Sequence, residues 1–142
     1  MSDILLSLQT VPTTVFKRIE RIVAAVTFVN GMLGLAVWAL RPLAAGSSAP
    51  FLLALLGLLS GVFAWRGRVG GHGAGLAFYG LQLAAWYSYD ATQAWQLRGA
   101  LSLAFVLHLR SGVLVVNVFA FALLAASAAL LWRRLRMRRA GA

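Results

Sequence analysis

Four long apolar runs, separated by clusters of basic residues, constrain this chain more than any other feature. They cover about 22–40, 51–65, 74–90 and 113–132. Two reach the length of about 20 residues that a helix needs to cross a bilayer and the other two come near it. Lys17, Arg18 and Arg21 precede the first run, Arg66 and Arg68 separate the second from the third, and Arg133, Arg134, Arg136, Arg138 and Arg139 follow the fourth. If the chain crosses four times, these ten of thirteen basic residues fall on one side, with only Arg41, Arg98 and Arg110 opposite. Loops rich in Lys and Arg stay in the cytoplasm, so both termini are expected there. Trp38, Trp86, Tyr87 and Tyr89 then fall near the outer boundary and Trp65 and Trp132 near the inner one, as interfacial aromatic belts do.

The expected fold class is an all-α integral membrane protein. It is a single four-helix transmembrane bundle with an extracytoplasmic β-hairpin or interfacial flap between helices 3 and 4. The segment 133–142 is read as a basic cytoplasmic tail. A short interfacial helix is expected at 2–9, cut off by Pro12. The first run is longer than the apolar stretch of about 7–15 residues in a signal peptide, so cleavage is disfavoured. Hydrophobic residues make up 61% of the chain and charged residues 11%, too little charge for an ordinary soluble domain. Heavy use of Arg, Ala, Gly and Leu suggests a GC-rich bacterial genome and hence the inner membrane.

The net charge of +10 resembles the footprint of a nucleic-acid binder. Because the positive-inside rule already accounts for most of it, nucleic acid is set aside as a partner. The chain has no Cys, which excludes disulfides, thiolate metal sites and cysteine nucleophiles. His72 and His108 fall on opposite sides of the expected membrane, so no metal or haem is assigned and no cofactor is expected. The 70–75 stretch Gly-Gly-His-Gly-Ala-Gly lacks the lysine and hydroxyl of a phosphate loop and is read as a flexible turn.

Between the third and fourth runs, residues 97–109 alternate. Leu97, Leu101, Leu103, Phe105, Leu107 and Leu109 occupy odd positions, with Arg98, Ser102, His108 and Arg110 among the even ones. Period two predicts β-structure, with an amphipathic interfacial helix as the rival. The odd-numbered side chains are expected to lie on the helix ends or the headgroup region. Under this flap, Tyr87, Tyr89, Asp90, Arg98, His108 and Arg110 form the candidate ligand-binding group, with Arg98 or Arg110 as the partner of Asp90.

Polar groups inside spans are costly and mark function. Asn30, Gln82 and Asn117 are the main candidates, with Ser60, Tyr79 and Ser127 behind them. Their ordinary role would be hydrogen bonding between helices. Glu20 sits at the edge of the first span among basic residues, and no carboxylate lies deeper, which argues against drug/proton exchange. Gly31 and Gly34, the Gly57/Gly61 pair, and Ala122, Ala125, Ala126 and Ala129 offer faces for close helix packing. The five terminal arginines, 133, 134, 136, 138 and 139, are expected to contact anionic lipid, either as a simple anchor or as a docking tail for lipid or an acidic partner.

Few catalytic groups beside several packing faces point to a non-enzymatic accessory, assembly or protective subunit that binds another membrane protein or lipid. A small transporter or channel using Asn30, Gln82 and Asn117 is the alternative, and homo-oligomerisation stays open. A membrane enzyme acting on lipid or quinone through Tyr87, Tyr89, Asp90 and His108 comes third.

Overall fold

The computed structural model describes residues 13–40, 48–90, 92–95, 97 and 100–140. The interfacial helix expected at 2–9, together with Arg41 and Arg98, lies outside them. Among the described residues, four helices and one small antiparallel sheet follow in chain order. They are α1 (Thr13–Ala39), α2 (Ala49–Trp65), α3 (Val69–Leu81), β1 (Ala84–Ser88), β2 (Ala94–Trp95), β3 (Ala104–Leu109), β4 (Gly112–Asn117) and α4 (Val118–Ala140).

α2 starts where Pro50 occupies the first turn, where its missing N–H costs nothing. Gly67, with φ +71°, makes the tight reversal into α3, a conformation that glycine adopts without steric cost. The glycine-rich stretch expected to be a flexible turn is instead the first half of α3. A methyl group at Gly71 would stand 2.2 Å from Ala64 N. Its glycine therefore lets two backbones touch, and packing outweighs the poor helix propensity. α1 and α2 close on each other in the same way. A Cβ at Gly31 would meet Leu58 N at 2.5 Å, and one at Gly61 would meet Phe28 backbone at 2.7 Å. Gly57 takes the Phe78 ring of α3, and Gly34 faces Ala54. Of the alanine face of α4, Ala122, Ala125 and Ala129 are exposed instead of packed.

Leu53, Phe78, Tyr79 and Ala120 form the core between α2, α3 and α4, and Leu97 packs against it from the loop before β3. Two helices, α1 and α4, are long and apolar enough to cross a membrane. Within their apolar windows only 28% and 17% of residues are buried. Two core helices of a soluble domain would hide far more of that surface. α2 is apolar but has 17 residues, and α3 has 13.

Two of the four expected spans therefore need correction. The third, 74–90, is helical only to Leu81 and continues as β1, and the fourth, 113–132, begins as strand β4 and becomes helical at Val118. Val113, Val115 and Val116 are β-branched and stiff at χ1, which suits a pleated surface. Each has a partner in β1 and in β3. Hydropathy alone does not separate such a strand from a helix.

The sheet has the order β2-β1-β4-β3. The hairpin β3–β4 turns at Arg110-Ser111, with Leu109 opposite Gly112, so the interfacial helix expected as the rival is not formed at 104–109. Cross-strand partners share a face. One face thus carries Trp95, Trp86, Leu114 and Leu107 in a single row, flanked by Phe105 and Leu109. The opposite face carries Ala85 and Asn117, which are buried. The odd-numbered side chains of β3 consequently point away from the helices and are exposed, contrary to the expectation that they would lie on the helix ends.

Candidate functional site

The ends of the bundle differ in chemistry. At one end, the start of α1, the α2–α3 turn and the last turns of α4 meet, bringing together most of the basic residues. This basic end is organised by Glu20. Its Oε1 lies 2.8 Å from His72 Nε2 and 2.5 Å from Arg134 Nη2, while Arg134 Nη1 also donates to the carbonyl of Gly67. His72 is 1% exposed, so the single carboxylate ties α1, α3, α4 and the α2–α3 turn together. Ser60 donates to Gly71 O at 2.9 Å beside it. Nearby, Arg133 lies 3.5 Å from the centre of the Phe16 ring, and Arg136 stacks at 5.0 Å on Trp132, both cation–π contacts.

From this cluster a polar column rises between α1 and α3, which run in the same direction because α2 returns between them. Glu20 faces His72, and seven residues further along each helix Thr27 faces Tyr79 at 2.7 Å. Both contacts join residues 52 apart in sequence. Thr27 donates its own hydroxyl proton to Val23 O, so the Tyr79 hydroxyl is the donor between them. Asn30 and Gln82 keep the same offset of 52, one turn beyond Thr27 and Tyr79. They therefore stand at one level, about 15 Å from the Glu20 rung at 1.5 Å per residue.

Asn30 and Gln82 are 1% and 3% exposed. Asn30 Oδ1 accepts from Leu101 N, and Gln82 Nε2 donates to Phe78 O. Among the described residues, Asn30 Nδ2 and Gln82 Oε1 have no partner. One unpaired donor and one unpaired acceptor are thus buried at the same depth, each a costly arrangement. Asn117, grouped with them in the sequence, has a different task. Its Oδ1 accepts from Ala120 N, which makes it the N-cap of α4, and its N–H donates to Leu83 O, stitching β4 to the end of α3.

The group expected beneath the flap is dispersed along the sheet. Tyr87 and His108 share one transverse row, but Val113 of β4 stands between them, about 10 Å apart at two strand spacings. Tyr89, Asp90 and Arg110 lie on or beside the turns at the far end of the sheet, and Arg98 falls outside the described residues. Among the described residues, which include Arg110 but not Arg98, the partners of Asp90 are local. Ser88 Oγ and Thr92 N both donate to Asp90 Oδ1, an Asx-type closure of the β1–β2 turn. Those bonds, Ser88 first, hold the Asp90 carboxyl below its ordinary value.

Glu20, His72 and Arg134 were not grouped by their sequence positions. The available signal was a lone acid among basic residues on one helix and a lone histidine on another. Their meeting depends on an offset set by the whole of α2 and its turns. No family model, curated protein or solved structure matches the chain.

Proposed function

We propose that this chain is a small multi-pass membrane protein that acts as a non-enzymatic accessory or assembly subunit, docking another membrane protein along the free edge of its sheet. The observation that carries this is β3. It is the terminal strand of the sheet, and all six of its residues are exposed. Phe105, Val106, Leu107 and Leu109 make it apolar on both faces.

An edge of this kind invites another strand, and natural proteins normally blunt it with charge, proline or a bulge. No residue of β3 is an acid, a lysine, an arginine or a proline. Depth adds to the case. With the basic end at the cytoplasmic boundary, as the positive-inside rule requires, α3 reaches only about 20 Å into a hydrocarbon layer of about 30 Å. The sheet then begins within the outer half of the membrane. An open sheet edge does not occur in lipid unless its backbone groups are paired. A partner strand supplies that pairing, with side-chain pockets giving specificity. On this reading both termini lie in the cytoplasm of a bacterial inner-membrane protein, in keeping with the positive-inside rule.

The test is extraction in native-lipid discs followed by intact-mass measurement. A stoichiometric protein companion that is lost in Phe105→Lys/Leu107→Lys supports docking at this edge. A lone monomer carrying only lipid overturns it, and a homo-oligomer replaces the heterologous partner with a second copy.

A small transporter or channel is the alternative favoured by one specific observation, the unpaired Asn30 Nδ2 and Gln82 Oε1 at the top of the polar column. Solute flux into proteoliposomes that falls in Asn30→Ala and Gln82→Ala would favour it. An enzyme acting on lipid or quinone has the least support, because His108 sits on an open sheet face.

A further inference from the structure

α1 and α4 approach each other at few points, and at the basic end their seam opens into a cleft of about 420 Å³. Its walls come from one face of each helix. α1 contributes Phe16, Lys17 and Glu20, and α4 contributes Leu130, Arg133, Arg134, Met137 and Arg138. The five terminal arginines are thereby divided. Arg133, Arg134 and Arg138 turn toward the seam, whereas Arg136 and Arg139 do not line it, and Arg136 stacks on Trp132.

Charge in the cleft is strongly one-sided. Glu20, its one acidic residue, is already engaged by Arg134 and His72, and Arg134 is further fixed by the Gly67 carbonyl. Lys17, Arg133 and Arg138 remain to face an incoming anion. Lys17 and Arg138 are exposed, and Arg133 is held in place on the Phe16 ring. Leu130, buried and lying deeper along α4 than the arginines, and the rings and thioether of Phe16 and Met137 provide an apolar lining. Cations above an apolar seam between helices match an amphiphile that has an anionic head and hydrocarbon tails. Basic pockets between transmembrane helices at the cytoplasmic side bind such headgroups.

We propose that this cleft is a discrete site for one anionic phospholipid, its phosphodiester held by Lys17, Arg133 and Arg138 and an acyl chain lying along the α1–α4 seam toward Leu130. This rests on the membrane placement given above and not on any protein partner. It goes beyond a basic tail attracted to a charged leaflet, because the position of each arginine, and not only their number, sets the affinity.

Two equal-charge variants separate these cases. Full-length protein is reconstituted in discs of equal parts phosphatidylglycerol and phosphatidylcholine, and retained lipid is counted by intact-mass measurement. The wild type should hold one phosphatidylglycerol in preference to phosphatidylcholine. Arg133→Gln/Arg138→Gln should weaken retention about 25-fold, at roughly fivefold per cation, and Arg136→Gln/Arg139→Gln should leave it within about twofold. Arg133→Lys/Arg138→Lys should recover most of the loss, which guards against a folding defect in the glutamine pair. Equal losses in both double variants would overturn the proposal in favour of diffuse surface charge. Retention of phosphatidylcholine at the same level would also overturn it, as would displacement of the lipid by millimolar inorganic phosphate, which would indicate a site for free phosphate. A protein that lacks a companion but retains the lipid defeats only the accessory role, and one that keeps a companion but loses the lipid preference defeats only this site.

Discussion

Glu20 is the residue on which the helical part of the molecule converges. It is 16% exposed and shared between a buried histidine and a partly covered arginine. Hydrogen bonds to a charged group contribute about 1.5–3 kcal/mol, so Glu20→Gln should lower stability by about that much. Thermal unfolding in detergent, followed by circular dichroism, reads this as a fall in midpoint. An unchanged midpoint would show that α1, α3 and α4 are held by packing alone. At the other end of the molecule Asp90 gives a pH signature. Its folded value lies below the ordinary one because Ser88 and Thr92 donate to it. Its contribution to the β1–β2 turn is therefore complete above about pH 4, the unfolded value for aspartate, and is lost as the pH falls through the lower folded value. The Thr92 amide resonance should titrate with a midpoint below about 3.9, and Asp90→Asn should abolish that titration. A midpoint at or above the peptide value would remove the Asx turn.

At the scale of elements, the junctions carry the information that hydropathy conceals. α1 and α2 are legible because an apolar run bounded by Arg or Pro has one simple solution. α3 is not, since Trp86, Tyr87 and Tyr89 prolong its apolar character beyond the point where the helix stops at Leu81. The alternation at 97–109 announces a strand, but its mate at 112–117 hides inside what reads as the start of a helix. Asn117 marks that boundary: a short polar side chain followed by a long apolar helix is an N-cap signal, and its role as cap competes with the intramembrane polar role that an isolated asparagine suggests. The Glu20–His72–Arg134 cluster stays hidden for a different reason. It joins three helices, and its offset of 52 exists only after α2 and the Gly67 turn have set the register. Asn117→Ala should destabilise the protein by about 1 kcal/mol, typical of a lost cap, whereas Asn117→Asp should retain most of the stability because aspartate caps equally well. If both variants lose equally, the β4–α4 junction is held by the backbone bond to Leu83 and the cap is immaterial.

For the whole molecule, the two ends of the bundle and the apolar surface between them yield one joint prediction. The chain contains no cysteine, so each introduced thiol is unique and its reactivity reports one position. Ser111, in the β3–β4 turn, is exposed at the sheet end. Gly70, beside the α2–α3 turn, is exposed at the basic end, and a Cβ there meets nothing within 4 Å. Leu33, midway between them on α1, is 40% exposed in the folded chain. A membrane-impermeant maleimide applied to intact cells should label Ser111→Cys alone, and Gly70→Cys should react only after permeabilisation. Leu33→Cys should remain slow in both conditions, because maleimide attack needs the thiolate and hydrocarbon suppresses it. Labelling of Ser111 and Gly70 from the same side would mean that α1 and α4 do not carry the chain across, and the depth assigned to the sheet edge would fail with them. Rapid labelling of Leu33→Cys would show that water, not lipid, covers the outer face of α1. The apolar surface of α1 and α4 would then need a protein partner along its whole length, rather than a bilayer with one docked strand at β3.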